Sequence, residues 1–399
     1  MRYGIRRFTL LLVLTIGFAT PANAARPATP VTVEHLEQFL AASHGQSDGK
    51  VASQLAGLVL TERATSVRLA RWQAEFPKRR CREALTKLAD ASAFLALPAA
   101  DMPANAPPDL EAQKTMLVKA IHSVSTTVTR LPNFYATRKT EYFEDTPPGQ
   151  TAGRPIASIP MTGLRGVLGA AQAESDYVPM HHVGTSSVTV SYRDGYELTN
   201  SKQPNLGAQQ HPAAELTTVG EFGPILSLVI EDAVHGAIMW GHWEQGANGM
   251  EAVFRYAVPV EKSRYLVAIP VGTQTHQIYP AYHGEIAISP DSGYILRITV
   301  VSDFAPLYQK LYTAIVVEYG DVAIGGITYN CPLKGVAVSR MPTTIVNGEL
   351  NFTAPLQTQM NDVTFTQYHL FRAEARMVPV TSDSDGAPPA ATPPAQSPR

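Results

Sequence analysis

The strongest constraint on the fold is a long stretch of alternating residues that begins at Phe134 and extends to about Met377. A period of two is typical of β-strands that bury one face. Apolar members of the repeat include Phe254, Tyr256, Val258, Leu296, Ile298, Val300, Ile315, Val317 and Tyr319. Turn residues separate roughly nine to eleven such segments. The pattern predicts an antiparallel sheet with one apolar face and one mixed face.

One segment interrupts the alternation and predicts a single helix over residues 224–234. Pro224 suits the first helical position, and Gly236 follows the end of the apolar run. The segment is apolar nearly all round, so we expect the helix to be buried against the sheet.

Residues 25–131 have helical spacing and form a separate N-terminal region. One helix is expected after Thr32, a second between Thr61 and Pro77, and a third from about Arg80 to Leu95. A linker rich in proline and alanine covers residues 97–108. A longer helix from Asp109 to Arg130 follows, with Leu117, Ile121 and Val124 facing inward.

The two ends of the chain and one internal segment have their own character. Residues 1–24 have a basic start, an apolar run and a small-residue end at Ala24, which predicts a cleavable signal peptide and therefore export to the periplasm or beyond. The apolar run is too short to span a bilayer, so we expect no transmembrane segment in the mature chain. Residues 145–185 are expected to be an irregular insertion, and residues 379–399 a disordered tail.

Composition narrows the class of protein further. The formal net charge of −2 provides no basic surface, so nucleic acid is not an expected partner. Cys81 and Cys331 are 250 residues apart and fall in different regions. Export permits a disulfide between them, and the alternative is two buried thiols. The fold class that these patterns predict is α+β, with an N-terminal helical region and a curved antiparallel sheet that holds a buried helix.

A resemblance to a known family rests on two segments of the predicted sheet. Residues 315–332 have a strand, Tyr319, a Gly325-Gly326 turn and a strand that ends at Pro332. They resemble the corresponding segment of the periplasmic lipoprotein carrier and lipoprotein-sorting family, and residues 284–298 look like the hairpin before it. The helix that runs into a first strand over residues 126–142 also fits. The whole chain further resembles a family of secreted bacterial proteins with this layout. The carrier resemblance implies a half-open barrel around a helix, with a hollow that holds acyl chains.

A dense aromatic zone surrounds the predicted helix. It can be interpreted as the lining of an apolar ligand cavity or as the ordinary core beneath the helix. We expect Trp240 and Trp243 to lie on opposite faces of one strand. The candidate ligand-binding residues are Ile225, Leu226, Val229, Trp240, Trp243, Phe254, Tyr256, Tyr265 and Tyr282.

Catalytic motifs give little support for an enzyme. The sequence contains no nucleophile elbow, zinc-protease motif, phosphate loop or dinucleotide fingerprint. Ser47 and Lys50 match Ser-x-x-Lys, but we expect them in a polar loop. His242 and Glu244 should share a strand face, as should His283 and Glu285. Pairs alone do not make a metal site, so we assign no catalytic residue, metal or cofactor.

Three functions remain as hypotheses. The first is a non-enzymatic envelope protein that binds an apolar ligand, such as a lipid, or a lipidated protein partner in the half-barrel. The second is a scaffolding module that binds another envelope protein. The third is a hydrolase whose site lies around His242, Glu244, His283 and Glu285.

Overall fold

The computed structural model describes residues 28–147, 177–193, 196–199, 221, 224–271, 274–343, 345–346 and 349–371. It has an α+β fold in which a helical unit, residues 28–97, covers part of one large curved antiparallel sheet that is not closed into a barrel. We call this helical unit the cap. The predicted fold class is therefore confirmed. The predicted signal peptide, most of the predicted insertion and the predicted tail lie outside the described residues.

The cap is built from four helices around its own apolar core. The helices are α1 Val33–Ala42, α2 Asp48–Leu55, α3 Ser66–Glu75 and α4 Arg79–Ala91, and a parallel pair joins β1 Thr29–Val31 to β2 Leu58–Leu60. Amphipathic spacing directs one side of each helix inward. The cap core contains Val33, Leu36, Leu40, Val51, Leu55, Leu60, Ala64, Trp72, Cys81, Leu85, Leu88 and Ala89.

The starts of the cap helices confirm one sequence prediction and correct two. Thr32 caps α1, because its Oγ1 accepts a hydrogen bond from the His35 amide at 3.2 Å. The second predicted helix does not begin after Thr61. Its cap is Thr65, whose Oγ1 accepts from the Arg68 amide at 3.3 Å. The segment from Ser47 to Lys50 is not a loop, since Ser47 is the residue before α2 and Lys50 lies in its first turn.

The large sheet contains ten strands within the described residues, as the alternation predicted. Their order is β5-β4-β3-β16-β13-β12-β11-β10-β7-β6. Their bounds are β3 Phe134–Thr146, β4 Val178–Arg193, β5 Tyr196–Thr199, β6 Ala237–Gly246, β7 Gly249–Val258, β10 Ala281–Ile288, β11 Ile295–Asp303, β12 Tyr312–Ile324, β13 Ile327–Pro342 and β16 Leu356–Leu370. Two short hairpins extend from the sheet: β8 Val267–Val271 with β9 Gln274–Ile278, and β14 Ile345–Val346 with β15 Glu349–Leu350. Because β3 continues to Thr146 and β4 begins at Val178, both ends of the predicted insertion belong to strands.

Two helices pack on one side of the sheet, which we call the apolar face. They are α5 Leu110–Arg130, which leads into β3, and α6 Pro224–His235, which leads into β6. Val124 of α5 and Val229 of α6 are buried in one cluster with Phe254, Ile286 and Val317 of the sheet. The predicted buried helix is therefore present, and it ends one residue later than expected.

The α5 helix buries a slightly different stripe from the predicted one. Val124 is buried and Leu117 is partly buried, as expected, but Ile121 is 41% exposed. Ala120 takes the inward position instead. A small residue there suits the close approach of the helix to the sheet, because the backbone of Lys119 lies against Gly293.

Candidate functional site

The candidate ligand-binding residues come together on the apolar face. Ile225, Leu226 and Val229 of α6 are buried in the same cluster as the aromatic side chains of β6, β7 and β10. The rings stack edge to face, with centroids 5.4 Å apart for Trp240 and Phe254 and 5.9 Å apart for Tyr256 and Tyr282. The convergence of the predicted residues is thus found in the structure. Their role in ligand binding stays a prediction.

The polar ends of the buried tyrosines are satisfied inside this cluster. The Tyr256 hydroxyl donates to the Thr299 carbonyl at 2.6 Å, and the Tyr282 hydroxyl donates to Asp232 at 2.9 Å. Tyr265 packs beside Tyr282 with ring centroids 5.4 Å apart. Burial raises the pKa of Tyr265 to about 12. These side chains contact one another in the manner of a packed core.

The two tryptophans of β6 lie on the same face, so their predicted opposition is wrong. The register of β6 with β7 shifts between Trp240 and His242, which marks a β-bulge at Gly241. Trp240 is therefore opposite Phe254 and Trp243 opposite Ala252. The indole rings meet edge to face at 4.9 Å. A Cβ at Gly241 would lie 2.9 Å from the Val253 carbonyl oxygen, which explains the glycine in the bulge.

The opposite side of the sheet, which we call the charged face, carries ionisable side chains under the cap. At its centre, Glu244 of β6 accepts hydrogen bonds from Arg63 of the cap and from Arg297 of β11, both at 2.6 Å. All three side chains are at least nine-tenths buried. Burial alone would raise the pKa of Glu244, but contacts with His242 and Arg63 outweigh it and hold the pKa below its ordinary value. This triad fixes the cap to the sheet.

The predicted His and Glu pairs both lie on the charged face. His242 Nε2 is 3.6 Å from Glu244 Oε2, and His283 Nδ1 is 2.7 Å from Asp303 Oδ2. Glu285 lies 3.5 Å from Arg255 and 3.8 Å from Arg297. Arg297 thus connects the two predicted pairs. The expectation that each pair shares a face is confirmed.

A second buried cluster joins the cap to the middle of the sheet. Lys334 of β13 forms an ion pair with Asp90 of α4 and lies 3.7 Å from Asp362 of β16. Burial, together with the charge of Asp362, raises the pKa of Asp90 well above its ordinary value. Ala93 and Phe94 pack beside this cluster on Phe143, Val316, Val336 and Met360. The cap therefore contacts the sheet through two charged clusters, one apolar patch and a 3.0 Å hydrogen bond that Lys87 donates to the Met180 carbonyl.

A cleft lies between the cap and the charged face, and Arg63, Ala93 and Arg297 line both of its halves. The half around His242 and His283, which we call the histidine cavity, has a volume of about 530 Å³. The half around Glu251 and Glu318, which we call the acidic cavity, has a volume of about 520 Å³. Both volumes fall in the range of small-molecule sites.

The two walls of the histidine cavity differ in chemistry. The wall on the side of the cap and its linker carries apolar side chains, Phe94, Leu95, Leu97 and Met102. The floor on the sheet carries polar side chains, His242, Arg255, His283, Glu285 and Arg297. Both ring nitrogens of His242 are buried: Nε2 faces Glu244 at 3.6 Å, and Nδ1 has no hydrogen-bond partner in the described residues. The cavity can therefore receive a molecule that has one apolar and one polar side.

Carboxylates dominate the acidic cavity. Burial and the neighbouring charges of Glu244 and Glu318 raise the pKa of Glu251 to about 7. Burial also raises the pKa of Glu318, although Lys334 opposes this shift. In the part of the chain that the structure describes, neither Glu251 nor Glu318 forms an ion pair.

Sequence reasoning missed the cap side of this site. Arg63 is 181 residues from Glu244, and Asp90 is 244 residues from Lys334. No local spacing signals such pairs. The one available signal was the set of charged residues on the mixed face of the strands.

The described residues have neither a metal-binding cluster nor a membrane-spanning helix. No group of three or more His, Cys, Asp or Glu side chains there is arranged to hold a metal ion. Among the same residues, no helix is both long enough and apolar enough to span a bilayer. Cys81 and Cys331 are both buried free thiols.

Comparison of the chain with protein-family models, with curated proteins and with solved structures gives no match.

Proposed function

We propose that this chain is a non-enzymatic binding protein of the cell envelope that takes a small amphipathic molecule into the cleft between the cap and the charged face. The observation that carries the proposal is the histidine cavity, with its apolar wall, its polar floor and the buried Nδ1 of His242, which has no partner in the described residues. Buried polar atoms without partners are expected where a ligand or water supplies the missing hydrogen bonds.

The two walls favour an amphipathic ligand over a purely apolar one. An acyl or aromatic group would contact Phe94, Leu97 and Met102, and a head group would lie on the paired charges of the floor. The ion pairs of Arg255 and Arg297 hold these donors in place, which lowers the cost of ordering them on binding. The proposal keeps the lipid-like ligand class that the sequence suggested. It moves the site from the apolar face to the charged face.

A bulky side chain in the histidine cavity provides the direct test. Ala257 is exposed and lines this cavity, so Ala257→Trp should fill it without disturbing the core. Ala323 is also exposed and lies in β12 outside the lining of both cavities, so Ala323→Trp is the matched control. We expect Ala257→Trp to weaken binding of the amphipathic dye anilinonaphthalene sulfonate at least roughly tenfold, which corresponds to about 1.4 kcal/mol. Ala323→Trp should leave binding unchanged.

Recovery of the natural ligand gives an independent measurement. The chain is purified from its envelope fraction under native conditions, and mass spectrometry identifies small molecules that are retained by wild type and lost from Ala257→Trp. Equal retention by both proteins, or equal dye affinity, would place the ligand outside the cleft and overturn the proposal.

A hydrolase is the second candidate, and one contact favours it. Asp303 holds the His283 ring by a 2.7 Å hydrogen bond, and His283 lines the histidine cavity. A histidine oriented by a carboxylate can act as a general base toward water. Hydrolysis of a panel of esters by wild type, with loss in His283→Gln and retention in His276→Gln, would support this candidate. Equal rates in all three proteins would exclude it.

A further inference from the structure

The contact region between the cap and the sheet, which we call the seam, contains more acidic than basic side chains. Lining the acidic cavity are five acidic side chains and three basic ones. Glu244 engages both Arg63 and Arg297, and Lys334 engages Asp90. Glu251, Glu318 and the exposed Asp321 are left without an ion pair in the described part of the chain.

Glu251, which lies in β7, is a neighbour of other acidic side chains in this cavity. It is directly opposite Glu244 in the register of β6 with β7, so two carboxyl groups are neighbours across the strands. Glu318 of β12 adds a third carboxyl group. The opposing positive charges are Arg63 of the cap and Arg297 of β11, which is directly opposite Glu318 in the strand register. On the far side of Glu318 lie Lys334, Asp362 and Asp90.

We propose that the seam is a proton-sensitive latch, in which protonation of Glu251 holds the cap on the charged face and its ionisation loosens the cap. Ionisation of Glu251 adds a negative charge beside Glu244 and Glu318. Burial limits the solvation of these carboxyl groups by water. Undocking of the cap leaves these three carboxyl groups together on the sheet, but it exposes them to water, which solvates and screens their charges. The latch does not depend on whether the cleft takes a ligand.

The direction of the pH effect follows from linkage. Burial raises the pKa of Glu251 to about 7 in the docked state, with contributions from Glu244 and Glu318, and Arg63 of the cap opposes this shift. The docked state therefore binds this proton more tightly than an open state in which water solvates the carboxyl group. Docking is therefore strongest at low pH and weakens as pH rises through about 7. The raised pKa of Glu318 acts in the same direction. Glu244 acts in the opposite direction and only at lower pH, since its pKa is below the ordinary value.

The patch beneath Phe94 offers a reporter of cap docking. Met360 is fully buried there, and its exposure to solvent requires the cap to move. Hydroxyl-radical footprinting of Met360 and Phe94 between pH 6 and pH 8 measures that exposure, with the half-exposed Tyr279 as an internal reference. With the Glu251 pKa of about 7 and an ordinary carboxyl as the open-state limit, the docking constant should fall by up to about tenfold over this interval. Labelling of Met360 relative to Tyr279 should rise by up to the same factor.

Replacement of the titrating group should remove the response. Glu251→Gln keeps the size of the side chain and cannot ionise, so its labelling at pH 8 should match that of wild type at pH 6. Glu261→Gln makes the same chemical change at an exposed position in a short 3₁₀ helix and should behave as wild type. Flat wild-type labelling from pH 6 to pH 8, or a rise in Glu251→Gln equal to that of wild type, would overturn the latch. If Glu251→Gln fails to fold, the Met360 labelling of Glu318→Gln and of wild type between pH 6 and pH 8 tests the latch instead.

Discussion

The two faces of the same sheet are covered in different ways. Alternate residues of one strand serve both, since Phe254 and Tyr256 point to the apolar face and Arg255 points to the charged face. The helices α5 and α6 cover the apolar face, and each immediately precedes a strand of the sheet. The charged face is covered by the cap, which is distant in sequence. The contacts of the cap with the sheet include two charged clusters and one apolar patch.

This difference teaches that the chemistry of the helices packed on a face determines how that face is filled. Apolar helices pack it fully, whereas a charged contact can leave a cleft. Apolar side chains interdigitate, and each buried one stabilises the fold by roughly 1.5–3 kcal/mol. Buried ion pairs return little net stability because desolvation opposes their attraction. A charged seam can therefore leave a cleft and respond to protons, whereas the apolar face cannot.

The largest expected fall in the free energy of unfolding follows removal of a large side chain from the apolar face. Phe254 is 1% exposed, so Phe254→Ala should lower the free energy of unfolding by about 3–5 kcal/mol. Denaturant titration followed by circular dichroism measures the loss. Tyr279→Ala removes a half-exposed ring as the control and should cost less than about 1 kcal/mol. A small loss for Phe254→Ala would instead mean that this face tolerates empty space, as the predicted apolar ligand cavity requires.

The next effect tests whether the charged triad holds the cap. Glu244→Gln leaves Arg63 and Arg297 without their shared carboxylate, and breaking a buried pair in this way costs about 3 kcal/mol. We expect increased labelling of Met360 as well as a lower free energy of unfolding. Glu261→Gln is the matched control at an exposed site. Unchanged labelling of Met360 would show that the Lys334 cluster and the apolar patch dock the cap without the triad.

A smaller effect depends on pH and should be confined to the charged face. At pH 8 the ionised Glu251 opposes folding, because its pKa in the folded chain is raised to about 7. Glu251→Gln should therefore raise the free energy of unfolding by about 1–2 kcal/mol at pH 8, after allowance for its partial exposure, and by almost nothing at pH 5. Denaturant titrations at both pH values measure this difference. A constant difference between the two pH values would mean that Glu251 is unperturbed.

The apolar face is also the part of the molecule that the sequence predicted best. Strand alternation, Pro224 and Gly236 were enough to predict the sheet and the buried helix, because periodicity is a local signal. The prediction that Trp240 and Trp243 lie on opposite faces was wrong, because a single bulge at Gly241 reverses the alternation. No sequence pattern indicated this bulge.

The cap and its cleft could be predicted only in part. Helical spacing identified the cap, but the pairing of Arg63 with Glu244 depends on how two distant units dock. His242, Glu244, His283 and Glu285 were recognised from strand parity. Their connection through Arg297 was not, because ion pairs between strands depend on register rather than on spacing along the chain.

The smallest effect concerns the linker, which contacts the edge of the apolar face. Trp243 Nε1 donates to the Ala106 carbonyl at 2.9 Å, so one hydrogen bond ties the linker to β6. Trp243→Phe keeps an aromatic ring against Trp240 and removes only the donor. Because the bond is solvent-exposed, its loss should cost about 0.5–1 kcal/mol in a denaturant titration.

The same substitution shows whether the cap on the charged face is coupled to the helices α5 and α6 on the apolar face. If the linker only connects them, Trp243→Phe should leave the labelling of Met360 unchanged at every pH. A loss above roughly 2 kcal/mol together with increased labelling would mean that the linker positions the cap. The apolar and charged faces would then act as one unit, and the contrast between them would be weaker than their chemistry indicates.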